Sequence, residues 1–136
     1  MSILGRKVSA RTVAALAFVF VTVAGLLPVL TTTRAREIRV IAKDMAFYLD
    51  GDAKTANPAI EAKPGETLRI VLVNRDRGMT HDFAVPAAGA ATDAIESNED
   101  AAVTFEVPDR PGTYEYVCRP HLAMMKGAII VRSGDL

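Results

Sequence analysis

The sequence predicts an all-β protein, a sandwich or barrel of seven to eight short strands. Apolar and β-branched residues alternate with a period of two in short stretches, as in Arg36–Lys43 and Leu68–Val73. Turn-forming residues separate these stretches, as in Lys63–Glu66 and Pro108–Gly112. No helical pattern of ordinary length follows residue 35. The folded part of the chain is therefore expected to consist of strands and turns.

Eight stretches of the chain have the pattern expected of strands. In order, they are Arg36–Lys43, Met45–Leu49, Ala59–Ala62, Leu68–Val73, His81–Val85, Ala101–Val107, Thr113–Val117 and Gly127–Val131. The first and sixth alternate, the second and third are short extended pieces, and the fourth is rich in β-branched residues. Pro86 ends the fifth, because proline lacks the N–H that a sheet requires. The seventh places Tyr114 and Tyr116 on one face, and the last is a short apolar run.

The segments between the predicted strands read as turns and loops. Residues 50–58 contain Gly51-Asp52 and Asn57-Pro58, and residues 74–78 are polar. Residues 87–92 are small and residues 93–100 are polar, and this stretch forms either a loop or a helical turn. Residues 119–126 form a short loop before the last strand. No internal repeat or interdomain linker is evident in the 136 residues, which suit a single domain.

The first 35 residues have the pattern of a targeting segment. Arg6, Lys7 and Arg11 precede an apolar run from Val13 to Leu30, and small residues lead up to Ala35. This order of charge, apolar core and small residues is typical of a secretory signal peptide. The run is also about as long as a short membrane span, which needs roughly 18 apolar residues. We therefore expect residues 1–35 to be a signal peptide or an N-terminal membrane anchor, and residues 36–136 to form the folded domain.

The charge of the chain argues against nucleic acid as a partner. The first 35 residues contain four of the 16 basic residues and none of the 16 acidic ones, so residues 36–136 carry a formal charge of −4. Nucleic-acid binding requires a basic patch. A modest negative charge suits a freely diffusing soluble protein but identifies no partner.

The residues that can bind a metal gather in one short segment. Cys118 is the only cysteine, His81 and His121 are the only histidines, and Met124 and Met125 follow His121 closely. A lone cysteine in an exported protein cannot form an intrachain disulfide, so it is a buried inert residue, half of an intermolecular bridge or a ligand. The grouping with two histidines and a methionine favours a ligand.

This combination of ligand types points to copper. A cysteine thiolate and two imidazoles form a trigonal plane around copper, and a weak thioether binds on the axis. Such a set serves both oxidation states of the ion, so electron transfer needs little rearrangement. Zinc also binds one cysteine and two histidines, but a structural zinc site usually has a fourth strong ligand and a hydrolytic one needs a general base. This segment offers a methionine instead.

Three passages resemble the cupredoxins, the blue-copper proteins that include plastocyanin, pseudoazurin, amicyanin and azurin. They are Lys63–Leu68 (KPGETL) followed by Val71–Asn74 (VLVN), then Met79–Phe83 (MTHDF), and then Pro111–His121 (PGTYEYVCRPH), which is the most specific. The resemblance covers roughly residues 37–132. It implies a Greek-key β-sandwich that holds one type 1 copper ion at His81, Cys118 and His121 and transfers electrons.

The fourth ligand in such a site is a methionine. Two adjacent residues compete for this role, because loop length varies within the family. Amicyanin-like spacing selects Met124, whereas azurin-like spacing and the following Lys126-Gly127 select Met125. We expect Met125 to be the axial ligand, with Met124 as the alternative.

Two neighbours of the ligands are expected to modify the site. Pro120 has no N–H, so it cannot donate the hydrogen bond to the thiolate that this position supplies in azurin-like loops. Fewer donors leave more charge on the sulfur and lower the reduction potential. Asp82 occupies a position where many relatives have asparagine, a residue that often ties the two ligand loops together. Asp82 could do the same if it finds a donor between residues 118 and 121.

The sequence therefore predicts an electron carrier that is not an enzyme, exported to the periplasm or a similar compartment and monomeric. We expect redox partner proteins to dock near His121, where the neighbouring loop residues are apolar. Membrane attachment would follow only if the first 35 residues remain uncleaved. The alternatives are a copper-binding or copper-delivery protein that passes no electrons, and a small oxidase or reductase with an open copper position.

Overall fold

The computed structural model of the protein describes residues 34–134. The predicted targeting segment, residues 1–35, lies outside this range except for its last two residues. Within the range, nine strands are joined by loops and two short 3₁₀ turns, Pro86–Ala88 and Arg119–His121. The strands are β1 Arg36–Lys43, β2 Ala46–Leu49, β3 Ile60–Ala62, β4 Thr67–Asn74, β5 Ala84–Val85, β6 Ala90–Ala91, β7 Asp100–Glu106, β8 Gly112–Val117 and β9 Lys126–Val131. None of the helices in residues 34–134 has the length and hydrophobicity needed to span a membrane.

The strands form two mixed sheets. One sheet has the order β2-β1-β4-β7, and the other has the order β3-β9-β8-β5-β6. The pairs β1–β4 and β3–β9 are parallel, and the other neighbouring pairs are antiparallel. Because parallel neighbours cannot be joined by a hairpin, the chain crosses between the sheets several times. These crossings place the β4–β5 loop beside the β8–β9 loop.

The core lies between the sheets and consists of the inward residues of both. Its aromatic centre is formed by Phe47, Phe83 and Tyr116. The Phe83 and Tyr116 rings stack with centroids 4.8 Å apart, and Phe47 meets each of them edge-on. The buried Tyr116 hydroxyl donates a hydrogen bond of 2.7 Å to the carbonyl of Pro58, which satisfies its polar group. Tyr116 of this cluster precedes Cys118 by two residues on the chain, and Cys118 belongs to the same core.

The predicted fold class is confirmed, and most predicted strands match the structure to within one or two residues. The strand count rises to nine because residues 90–91 form a two-residue strand that pairs with β5. The predicted strand His81–Val85 is reduced to Ala84–Val85. His81 makes only an isolated bridge to Ile95, and the Phe83 N–H donates to the side chain of Thr92. One side-chain bond thus takes the place of a ladder bond at Phe83, which strand propensity does not reveal.

Candidate metal site

The loop between β4 and β5 is held in shape by a buried asparagine. Asn74, the last residue of β4, is fully buried. Its side-chain N–H groups donate to the carbonyls of Met79 at 2.7 Å and Ile95 at 3.0 Å, and its Oδ1 accepts the N–H of Asp76 at 2.9 Å. Buried amides satisfied in this way fix a single backbone arrangement. The loop therefore delivers His81 to a defined position.

The loop between β8 and β9 is a tight turn that carries the other candidate ligands. The Cys118 N–H donates to the Met125 carbonyl at 2.9 Å, which closes the hairpin. Within the turn, the N–H groups of Met124 and Met125 both donate to the His121 carbonyl at 3.0 Å. Pro120 lies in the 3₁₀ turn Arg119–His121, where its fixed φ suits the first helical residues.

The two loops bring His81, Cys118 and His121 together. Cys118 Sγ lies 3.6 Å from His81 Nδ1 and 3.5 Å from His121 Nδ1, and one ligand atom from each residue fits within 4.8 Å. His81 and Cys118 are fully buried and His121 is half-buried. The two imidazole rings tilt toward each other with centroids 4.9 Å apart. Three residues that are separated in sequence by up to 40 positions thus form one compact donor cluster.

The two methionines that compete for the fourth position differ in burial. Met125 is fully buried in the core beside Cys118, whereas 59% of Met124 is exposed. The Met124 backbone carbonyl accepts a hydrogen bond from Asn57 at 3.1 Å, so the turn is also anchored on its outer side. Of the two methionines, only Met125 belongs to the buried core that contains Cys118.

A buried carboxylate ties the two ligand loops together. Asp82, which is 1% exposed, accepts the Arg119 N–H at 2.7 Å through Oδ1 and the Arg119 Nε–H at 2.5 Å through Oδ2. Asp82 follows His81 and Arg119 follows Cys118, so this link joins the neighbours of two ligands. Charge-assisted bonds of this kind are stronger than neutral ones and set geometry as well. Arg119 thus supplies the hydrogen-bond donor on which the predicted role of Asp82 depended.

A second carboxylate contacts His81 on the opposite side of its ring. Asp76 Oδ2 lies 2.9 Å from His81 Nε2, and the carboxylate also accepts the N–H groups of Asp44 and Met45. Burial acts to raise the pKa of Asp76, but the Met45 and Asp44 N–H groups and His81 outweigh it, so the pKa lies below its ordinary value. From the sequence, Asp76 is predicted only to be part of a polar loop. The sequence feature that could have indicated its role is the pair of polar residues Asn74 and Asp76 at the end of a buried strand.

The donor set fits copper. Ligand nitrogen and sulfur atoms in metal sites lie about 2.0–2.3 Å from the ion, so two donors of one ion are at most about 4.6 Å apart. The nitrogen–sulfur distances of 3.5 and 3.6 Å fall inside this limit. Burial raises the pKa of the Cys118 thiol, while the backbone N–H groups of Asp82 and His121 act against the rise. A metal that binds here must therefore displace the thiol proton, which a soft cation such as copper achieves.

Comparisons with known proteins agree with the fold. The cupredoxin-like domain family matches residues 12–131. The chain therefore belongs to this family, as its sequence motifs indicated. No match to the chain was found among curated proteins.

The fold is shared with several solved structures. Auracyanin A, a "blue" copper protein from Chloroflexus aurantiacus, is 21% identical, with a TM-score of 0.58 over 73% of this chain and 100% of its own. Auracyanin B is 24% identical, with a TM-score of 0.59 over 76% of this chain and 94% of its own. Rusticyanin from Thiobacillus ferrooxidans is 24% identical, with a TM-score of 0.55 over 72% of this chain and 77% of its own. These likenesses establish the fold, and the residues His81, Cys118, His121 and Met125 form a candidate site for one copper ion.

Proposed function

We propose that this protein is an electron carrier that holds one copper ion at His81, Cys118, His121 and Met125 and does not act as an enzyme. The observation that carries the proposal is the position of the Cys118 sulfur, buried and 3.5–3.6 Å from two imidazole nitrogens. When bound in such a site, copper supplies a one-electron couple between Cu(I) and Cu(II). Thiolate, imidazole and thioether together suit both of these states.

The protein's part in such a function is to keep the donors in place. The hairpin bond from Cys118 to Met125 holds one loop, and the Asn74 amide holds the other. The Asp82–Arg119 link joins them. Because these bonds join protein groups to one another, they restrain the donors and limit how far the donors can rearrange when the charge changes. His121 is the candidate ligand with exposed surface, so it offers the shortest route for an electron to enter or leave.

Adding Cu(II) to the purified protein is expected to give one tightly bound ion per chain with an intense visible thiolate-to-copper band. The paramagnetic-resonance spectrum should be that of a type 1 site, and oxidation and reduction should be fast and reversible. Cys118→Ser is the matched control, because it keeps the size of the side chain but should give no intense band. A folded protein without the visible band would overturn the proposal, and a colourless Cu(I) form that hands its metal to an acceptor would favour copper delivery instead.

Methionine replacement is expected to single out Met125 as the axial ligand. Met125→Leu should shift the visible spectrum and raise the reduction potential, because the more highly charged oxidised ion loses a donor. Met124→Leu is the matched control: the same change is made at an exposed neighbouring residue, and it should leave both quantities unchanged. Visible spectra and voltammetry of the two variants provide the measurement. A shift confined to Met124→Leu would reverse the assignment.

We also propose that redox partner proteins dock on an apolar patch formed by Met79, Leu122 and Met124. These are the exposed large hydrophobic residues of the described chain, and all three lie on the two ligand loops. Single exposed apolar residues are ordinary, but a group around an electron-entry ligand suits a brief, weak encounter. Leu122 and Met124 lie within three residues of the half-buried His121 along the chain.

A charge placed in this patch is expected to slow electron exchange. Leu122→Glu should reduce the rate of electron exchange between oxidised and reduced copies by about tenfold or more, a size common among interface variants. The visible spectrum should not change, because the donor cluster is untouched. Thr104→Glu, on the exposed face of β7, adds the same charge away from the ligand loops and serves as the control. Equal rates in the two variants would contradict docking at this patch.

We infer that the protein acts outside the cytoplasm as a monomer. The support for export is the basic and apolar pattern of residues 1–35, which is typical of a secretory signal peptide. Cleavage after Ala35 is expected to release residues 36–136 as a free domain. Mass spectrometry of the protein from its native membrane and soluble fractions checks this. An intact Met1 in the membrane fraction would show an anchor in place of a cleaved signal.

A further inference from the structure

Asp76 lies two residues beyond the end of β4, and three nitrogen atoms lie within hydrogen-bond distance of its carboxylate. Oδ1 accepts the Asp44 N–H at 2.6 Å, and Oδ2 accepts the Met45 N–H at 3.1 Å. His81 Nε2 lies 2.9 Å from the same Oδ2. The side chain of Asp76 is 12% exposed and that of His81 is fully buried, so this contact is shielded from water.

The first two bonds fix the carboxylate against an unusual turn. β1 and β2 are joined by Asp44 and Met45 alone, and both have positive φ, 50° and 59°. This is the geometry of a type I′ hairpin turn, which normally selects asparagine and glycine. Here two other residues occupy it, and the Asp76 carboxylate binds both of their N–H groups. The carboxylate is thereby held from one side by the turn and faces His81 on the other.

This contact determines which nitrogen of His81 carries the proton. An ionised carboxylate only accepts hydrogen bonds, so His81 Nε2 makes this contact by donating its own hydrogen. A neutral imidazole with its proton on Nε2 has a free lone pair on Nδ1. Nδ1 is the atom that lies 3.6 Å from the Cys118 sulfur. The arrangement therefore presents the correct nitrogen to the donor cluster before any metal arrives.

We propose that Asp76 is a positioning residue for the copper site: it holds His81 as the Nε2–H tautomer and places a negative charge behind this ligand. The inference rests on the proposed function only for its effect on copper. Partners of this kind orient a ligand and make it more basic, and their removal typically costs about 10–100-fold in metal affinity. The negative charge favours the oxidised ion over the reduced one, so Asp76 lowers the reduction potential.

The first test needs no metal. Long-range proton–nitrogen NMR of the metal-free protein at about pH 8, well above the ordinary histidine pKa of about 6.5, reports the tautomer of each imidazole. His81 should be fully in the Nε2–H form. In Asp76→Asn, the new amide can donate to Nε2, so a substantial Nδ1–H population should appear. A wild-type His81 with its proton on Nδ1, or an unchanged tautomer in folded Asp76→Asn, would overturn the inference.

The second test uses copper. Asp76→Asn should bind Cu(II) about 10–100-fold more weakly than the wild type and should have a higher reduction potential. Each tenfold loss of Cu(II) affinity that Cu(I) does not share corresponds to about 59 mV for a one-electron couple. If the wild type binds copper with the expected spectrum but Asp76→Asn matches it in affinity and potential, this inference fails alone. If the wild type gives no such spectrum, the proposed function fails, and the NMR result still decides the tautomer.

Glu66→Gln is the matched control. The Glu66 side chain is 20% exposed, its carboxylate accepts the N–H of Lys63 in a turn, and it pairs with Arg36, so it resembles Asp76 in burial and bonding. It precedes β4, whereas Asp76 follows it, and a strand of eight residues spans about 25 Å. Glu66→Gln removes the same charge at the far end of that strand. It should change neither the His81 tautomer nor the potential.

A third variant distinguishes the effect of Asp76 on the β1–β2 turn from its effect on His81. Asp44→Asn with Met45→Gly gives the Asn-Gly pair that a type I′ turn favours, which makes the turn less dependent on Asp76. If Asp76→Asn alone does not fold, both measurements are made in this background, with and without Asp76→Asn. A change in His81 tautomer and potential on adding Asp76→Asn there supports the positioning role. Identical values would show that Asp76 serves only the turn.

Discussion

The contact of one buried thiol with two imidazoles is the constraint on which the rest of the structure depends. Cys118 and His81 are fully buried, and the polar atoms that face each other belong to different loops. Burying such groups costs free energy unless their partners are held in place. The strand crossings and the loop hydrogen bonds meet this requirement, because they deliver both loops to the same point.

The carboxylates of Asp82 and Asp76 stabilise the donor cluster from outside, and each fixes a different part of it. Asp82 binds the backbone and side chain of Arg119, so it fixes the position of one ligand loop against the other. Asp76 binds the β1–β2 turn and the far nitrogen of His81, so it fixes the orientation of one ring. Both are acidic residues next to the site in a domain that is already negative. Each carboxylate accepts hydrogen bonds from at least two N–H donors, which stabilise its negative charge in place of water.

Burial divides the site into an inner and an outer half. His81, Cys118 and Met125 belong to the core, beside the aromatic cluster around Tyr116. His121 is half-buried, and the exposed apolar residues Leu122 and Met124 lie next to it along the chain. A site with this division can keep water from the sulfur and still leave one ligand within reach of a partner surface. Residues 118–125 contribute to both halves, and His81 joins the inner half from the other ligand loop.

The sequence by itself determined the fold class and the chemistry of the site. Strand alternation and turn residues are local patterns, and the cysteine, a histidine and two methionines lie within eight positions of one another. Only the tertiary structure decided which methionine is buried, because neighbouring residues in a turn can point to opposite sides. It also decided the partners of Asp76 and Asp82, which bond to residues 5 to 37 positions away. Such contacts depend on how the strands pair and where the loops meet, and no local pattern carries that information.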